Sequence, residues 1–208
     1  MNTLMTLGIS CSFALGGCAT EPEEDGIISS VQQHSTISGP AITQGGNSSA
    51  HILVPSSTGP GLEISGSPDL GSFLIASYGA TTGSSGATAG VTVTPAPGTA
   101  FVYILLASGT GYSGRQLRLQ RTPGSSDLQA AASTGNVTCG TVASGTPTTL
   151  SLVFHAASET FDVLIDGAAS GCTSLPTKLQ PPIIGFSLMD ASNQGWGGRV
   201  DFTDLTIF

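Results

Sequence analysis

At 208 residues the chain is long enough to bury a self-sufficient core as a single domain. Five Lys and Arg against thirteen Asp and Glu leave a net charge of −8, so the overall field repels a phosphate backbone and makes nucleic acid a poor partner. Charged residues are only 9% of the chain and Gly numbers 29, which removes the charged outer faces of surface helices and points to a nearly all-β fold.

Residues Leu4 to Leu15 are uncharged and mostly apolar. The run is shorter than the roughly twenty residues that span a bilayer and suits the apolar region of a signal peptide. Leu15-Gly16-Gly17-Cys18 follows directly and resembles a bacterial lipobox. The resemblance implies that Cys18 becomes the acylated first residue of an exported protein, held at the membrane by lipid chains that contribute about 0.8 kcal/mol per buried CH2. Residues 1 to 17 carry no Lys or Arg, unlike most export signals, so ordinary secretion and a buried amino-terminal strand stand as alternatives. Glu21, Glu23, Glu24 and Asp25 then form a short acidic run that reads as a solvated tether. The organisation expected is a signal region over 1–18, a flexible tether over 19–50 and a β-sandwich over 51–208.

Linker composition passes into a first strand near His51 to Val54. Further strands are expected at 61–65, 72–78, 89–94, 100–107, 115–121, 127–132, 137–142, 149–155, 160–165, 183–189 and 199–207, with Gly, Pro, Ser or Asn in nearly every gap. Gly79 to Gly90 reads as a small, polar hairpin or loop. Many short strands at this spacing, without a fixed-period repeat, indicate a sandwich or barrel. Alternation assigns the faces: Leu117 and Leu119 inward against Arg118 and Gln120, Leu150, Leu152 and Phe154 inward against Ser151, and Phe161, Val163 and Ile165 inward against Asp162. Phe101 to Leu106 is apolar on both faces and belongs at the centre of a sheet. Along the last strand the apolar residues change parity between Phe202 and Leu205, which calls for a β-bulge at Thr203 or Asp204.

Cys139 and Cys172 form an even pair suited to an oxidising compartment, and a bridge between them would stabilise by roughly 3 to 4 kcal/mol on the loop-entropy account. No spacing suggests zinc.

Signs of catalysis are scarce. No Gly-x-Ser-x-Gly occurs, and His34, His51 and His155 stand outside any motif, His155 reading as an exposed sheet residue. The glycines of Gly109 to Arg115 lack the Lys of a phosphate loop. Asp162 and Asp166 share a strand face but lie roughly 13 Å apart, beyond the range of paired glycosidase carboxylates. The domain is therefore expected to be non-catalytic, with a polysaccharide hydrolase or lyase of unrecognised site as the lesser alternative.

Thr160 to Ile165 ends in Asp166-Gly167, a strong signal for a tight hairpin, and Gly197-Gly198-Arg199 opens the final strand about thirty residues later. Together these resemble the closing strands of the concanavalin A-like lectin/glucanase superfamily, including its laminin-G-like members. The resemblance implies a two-sheet antiparallel jelly roll and recognition of a glycan or an extracellular protein. The chain lacks the Glu-x-Asp-x-x-Glu of the laminarinase-type members. Within this frame Asp190 and Asn193 are candidate Ca2+ ligands, although that ion takes six to eight oxygens and the loop alone supplies fewer. A polar turn capped by Asn193 is the plainer reading. Trp196 reads either as core packing or as a sugar-stacking platform. Tyr112 is a further ligand-binding candidate; Tyr78 and Tyr103, like Tyr112, are also explained by packing with the hydroxyl at the surface.

Overall fold

The computed structural model describes residues 37–46, 49–56, 59–66, 73–83, 85–107, 116–122, 124–190 and 198–208. Alternating apolar and hydroxyl-bearing residues, broken by Gly and Pro, give short strands in chain order: β1 (Ser38–Gly45), β2 (Ser49–Ser56), β3 (Gly59–Gly66), β4 (Phe73–Gly79), β5 (Gly86–Pro95), β6 (Phe101–Ala107), β7 (Gln116–Arg121), β8 (Asp127–Ala132), β9 (Gly135–Thr141), β10 (Thr148–His155), β11 (Thr160–Ile165), β12 (Ala168–Ala169), β13 (Leu175–Pro176), β14 (Ile183–Asp190) and β15 (Gly198–Ile207). They build two antiparallel sheets. A seven-stranded sheet runs β1-β4-β14-β6-β7-β8-β9, and the second runs β12-β11-β10-β5-β15-β3-β2 with β13 alongside β11.

The core fills the space between the sheets. Leu74, Ala76, Phe186, Leu188, Phe101, Leu117, Leu119, Leu128 and Ala130 face it from the first sheet; Leu62, Ile64, Val91, Val93, Leu150, Leu152, Phe161, Val163, Val200 and Phe202 face it from the second. Each set follows the two-residue period of a strand, which turns one face of most strands inward, while β5 and β14 also hold buried residues on the other face, Gly90 and Ser187. Phe101 and Phe202 meet edge to face, ring centres 6.1 Å apart, and join the central strands of the two layers. β6, apolar throughout, takes the middle of its sheet as its sequence requires.

Several local expectations reappear as geometry. Asp166 and Gly167 both have positive φ, at 51° and 76°, and Ile165 pairs with Ala168 across the two-residue turn. The β15 register shifts between Thr203 and Thr206, with Asp204 at φ 53°, so that Val200, Phe202, Leu205 and Ile207 are all buried. Gly198, at φ 143°, sits where a Cβ would overlap the Thr99 hydroxyl, which donates to the Arg199 carbonyl and accepts from its amide, both at 3.0 Å.

Cys139 and Cys172 form the expected disulfide. β9 ends the first sheet and β11–β12 end the second, so the bond closes one side of the sandwich, helped by the Gly171 amide donating to the Cys139 carbonyl at 2.9 Å.

Three expectations are corrected. Ser38 to Gly45, inside the segment read as tether, belong to the sandwich: β1 pairs along β4, Ile42 opposite Ala76. Of the segment read as a polar loop, residues from Gly86 onward belong to β5, while Ala80 and Thr82 bond the backbone of β14. The Tyr78 hydroxyl is not at the surface: the residue is 2% exposed, stacks on Phe186 with ring centres 4.9 Å apart, and its buried oxygen finds no partner among the described residues. Burial pushes this phenol up to about 12.

Candidate functional site

Hydrogen-bonding side chains stand on the outer faces of both sheets; on the second, Thr92 Oγ1 lies 3.1 Å from Thr149 Oγ1, and on the seven-stranded sheet they lead toward a cleft. Because Leu117 and Leu119 turn inward, Gln116, Arg118 and Gln120 turn outward on β7. Register continues them across the sheet: Ser77, Ser187, Ile104, Arg118 and Ala131 share one row over five strands, and Ile75, Met189, Val102, Gln120 and Gln129 share the next. Ser77 Oγ lies 3.0 Å from Ser187 Oγ, and Gln120 Nε2 donates to Gln129 Oε1 at 3.3 Å. Ser187 is only 3% exposed although it stands on the outward face. The seven strands carry just two carboxylates, Asp127 at the start of β8 and Asp190 at the end of β14.

This face runs into a cleft of about 260 Å3 bounded by Gln116, Arg118, Ala131, Ser133, Thr177 and Lys178. The segment that carries Thr177 and Lys178 is fixed by backbone bonds: the Ser133 amide donates to the Pro176 carbonyl at 3.0 Å, and the Thr177 amide to the Glu159 carbonyl at 2.9 Å. Thr177 Oγ1 accepts from the Leu179 amide at 3.0 Å. Among the described residues Gln116 Oε1 and Arg118 Nε find no partner although both are buried, an acceptor and a donor withdrawn from water beside the cleft. A second depression, bounded by Ser85, Ala156, Ala157, Glu159, Leu179 and Pro181, is larger at about 460 Å3 but offers no basic side chain.

The remaining charged groups have local duties. Arg121, facing inward at the other end of β7, is 5% exposed and donates to the Thr99 carbonyl at 3.0 Å and Ser144 Oγ at 2.7 Å; burial lowers its pKa. Arg199 pairs with Glu63 at 2.9 Å and Asp201 at 3.1 Å on the exposed side of the second sheet, where such bridges contribute little. His155, exposed as expected, has Nε2 2.9 Å from Asp162 Oδ2, and Asp162 Oδ1 accepts from the Ser174 amide at 2.6 Å. The Ser174 bond first, and the His155 bond second, hold the Asp162 carboxyl below its usual value.

Of the residues singled out from the sequence, Trp196, Asn193, Tyr112 and Cys18 lie outside the described residues, and Asp190 is placed as the last residue of β14, opposite Phe101. The connection bearing Tyr112 leaves β6 at Ala107 and enters β7 at Gln116; the one bearing Trp196 runs from Asp190 to Gly198, whose anchors lie at the other end of the sandwich. Among the described residues no three His, Cys, Asp or Glu side chains gather in a way that could hold a metal. Sequence reading gave Arg118 and Gln120 their face but missed the cleft, since Lys178 joins Arg118 from a connection sixty residues later and no local pattern announces that meeting.

No family model matches the chain, and no curated protein matches it. Among solved structures it is similar to the cellulose-induced protein Cip1 (14% identity, TM-score 0.55, covering 84% of this chain and 91% of that one). It is also similar to a protein of unknown function from Shewanella oneidensis MR-1 (16%, 0.55, 88% and 82%) and to a sialidase (12%, 0.55, 76% and 17%). The chain thus spans about a sixth of that sialidase's length. At these identities the likeness concerns architecture: the fold is the concanavalin A-like jelly roll.

Proposed function

We propose that this protein is a non-catalytic recognition module of the cell envelope that binds glycans along the outer face of its seven-stranded sheet. The observation that carries the reading is that Ser77 and Arg118 share one outward row, with Gln120, Gln129 and apolar Ile75 and Met189 in the next and Gln116 further along β7, leading into a cleft that Gln116 and Arg118 line. Sugars present hydroxyls in the plane of the ring and C–H groups on its faces, and a sheet surface of this mixture answers both. Two carboxylates at the ends of strands are a poor basis for paired acid–base hydrolysis, which supports binding without turnover. Export through the lipobox-like Leu15 to Cys18, with acylation of Cys18, accords with a bridge between Cys139 and Cys172.

Expressed as the full chain, the protein should label with palmitate, partition into the membrane fraction, bind a subset of surface polysaccharides on a glycan array and release no reducing ends from them. Running the array with and without EDTA assigns or dismisses a Ca2+ role for Asp190 and Asn193. Silence on every glycan, or measurable cleavage, overturns the reading.

A second reading, a protein-contact module of the envelope, is favoured by Ile42, which is 42% exposed on edge strand β1. Crosslinking from that strand to an envelope protein, with no glycan bound, would favour it.

A further inference from the structure

Resting on the glycan-binding reading, we infer that the cleft between β7 and the Thr177–Lys178 segment is a subsite for a sugar-borne anion, a uronate carboxylate or a sulfate ester. The chain has five basic residues, and the disposition of four of them is described. Arg199 is neutralised by Glu63 and Asp201, and Arg121 is spent inside the sandwich on Thr99 and Ser144. Arg118 and Lys178 are left, both on one cleft, with no carboxylate along its walls and no ion pair among the described residues.

In an acidic chain this concentration of uncompensated positive charge is a local departure from the overall field. Guanidinium suits a planar carboxylate or a sulfate through two parallel N–H bonds, and an ammonium adds a mobile point charge. Ser133 and Thr177 bring hydroxyl oxygens to the rim. Ala131 keeps the floor low enough for a ring to lie over it. The volume falls below the roughly 300–1,000 Å3 of sites that enclose drug-sized ligands. It accommodates one charged ring of a longer chain, the rest of which follows the outward rows of the sheet.

The test is calorimetric titration of the full-chain protein with three oligosaccharides of equal length: a polyuronate, its carboxyl-reduced neutral counterpart and a sulfated glycan. Arg118→Gln and Lys178→Gln variants are measured beside it, each first shown to melt within about 2 °C of the parent. The expected result is that one anionic glycan binds at least tenfold more tightly than the neutral one, that either variant removes this preference, and that the difference shrinks with added salt. Preference for the polyuronate or for the sulfated glycan identifies which anion the cleft takes. Equal affinity for the neutral and anionic chains, or variants that keep the preference, overturns the subsite while leaving glycan recognition intact. Binding of none of the three, together with silence on the array, removes both.

Discussion

Asp162 serves two donors at once, fixing the Ser174 amide through one oxygen and His155 through the other, while Ser174 itself holds a positive φ of 51°. Because its folded-state pKa is depressed, the carboxylate contributes stability that is fully present above the ordinary value near 4 and lost as the pH falls through the lowered one. Asp162→Asn should therefore cost about 1 kcal/mol at pH 7, because the amide oxygen still accepts from Ser174 and what is lost is the charge assistance. The deficit should shrink below pH 4, where the parent loses its own advantage. Urea melts at pH 7 and pH 3 check this; an equal deficit at both refutes it. Sequence alternation placed Asp162 on the outward face, but its partnership with Ser174 depends on how the chain returns after β12, which no local pattern encodes. The cleft poses the same difficulty: Arg118 was legible as an outward residue, Lys178 as a neighbour was not.

At the scale of elements, β15 shows how far local chemistry determines a strand. The parity change in its apolar residues demanded a bulge, and the second glycine of the pair opening it is required by contact as well as by conformation. A Cβ at Gly198 would meet the Thr99 hydroxyl that clasps both backbone groups of Arg199. Gly198→Ala should cost about 1 to 3 kcal/mol, the range for strained backbone. Gly167→Asn, at φ 76° with open space around the position, should cost less than half as much. Thermal melts of the two variants compare them directly, and a smaller cost at Gly198 would contradict the contact argument. β8 and β11 were legible to the residue, because both alternate and are bounded by turn residues. β1 was not, for a physical reason. As an edge strand it is held by backbone bonds to β4 and leaves Ile42 exposed, so Ser38 to Gly45 needs no apolar alternation and reads as linker.

For the whole molecule, the disulfide joins what the core leaves at the margin. Removing it by Cys139→Ser with Cys172→Ser should lower stability by about 3 to 4 kcal/mol and the melting temperature by on the order of 10 °C. Scanning calorimetry under reducing and oxidising conditions checks this, and a parent that melts identically in both would contradict it. The two-layer architecture was legible as a whole, since every long strand carries its own facing information; how the margins meet was not, since that rests on contacts between distant segments such as Cys139 with Gly171 and Cys172. The covalent tie also makes the molecule mechanically lopsided. Among the described residues the sheet margins formed by β1 and β2 lack such a bond, and β1 is the first of the described strands. Tension arriving from the amino-terminal direction would load the β1–β4 ladder pair by pair, letting that strand peel away as a sacrificial flap while the stapled margin holds together.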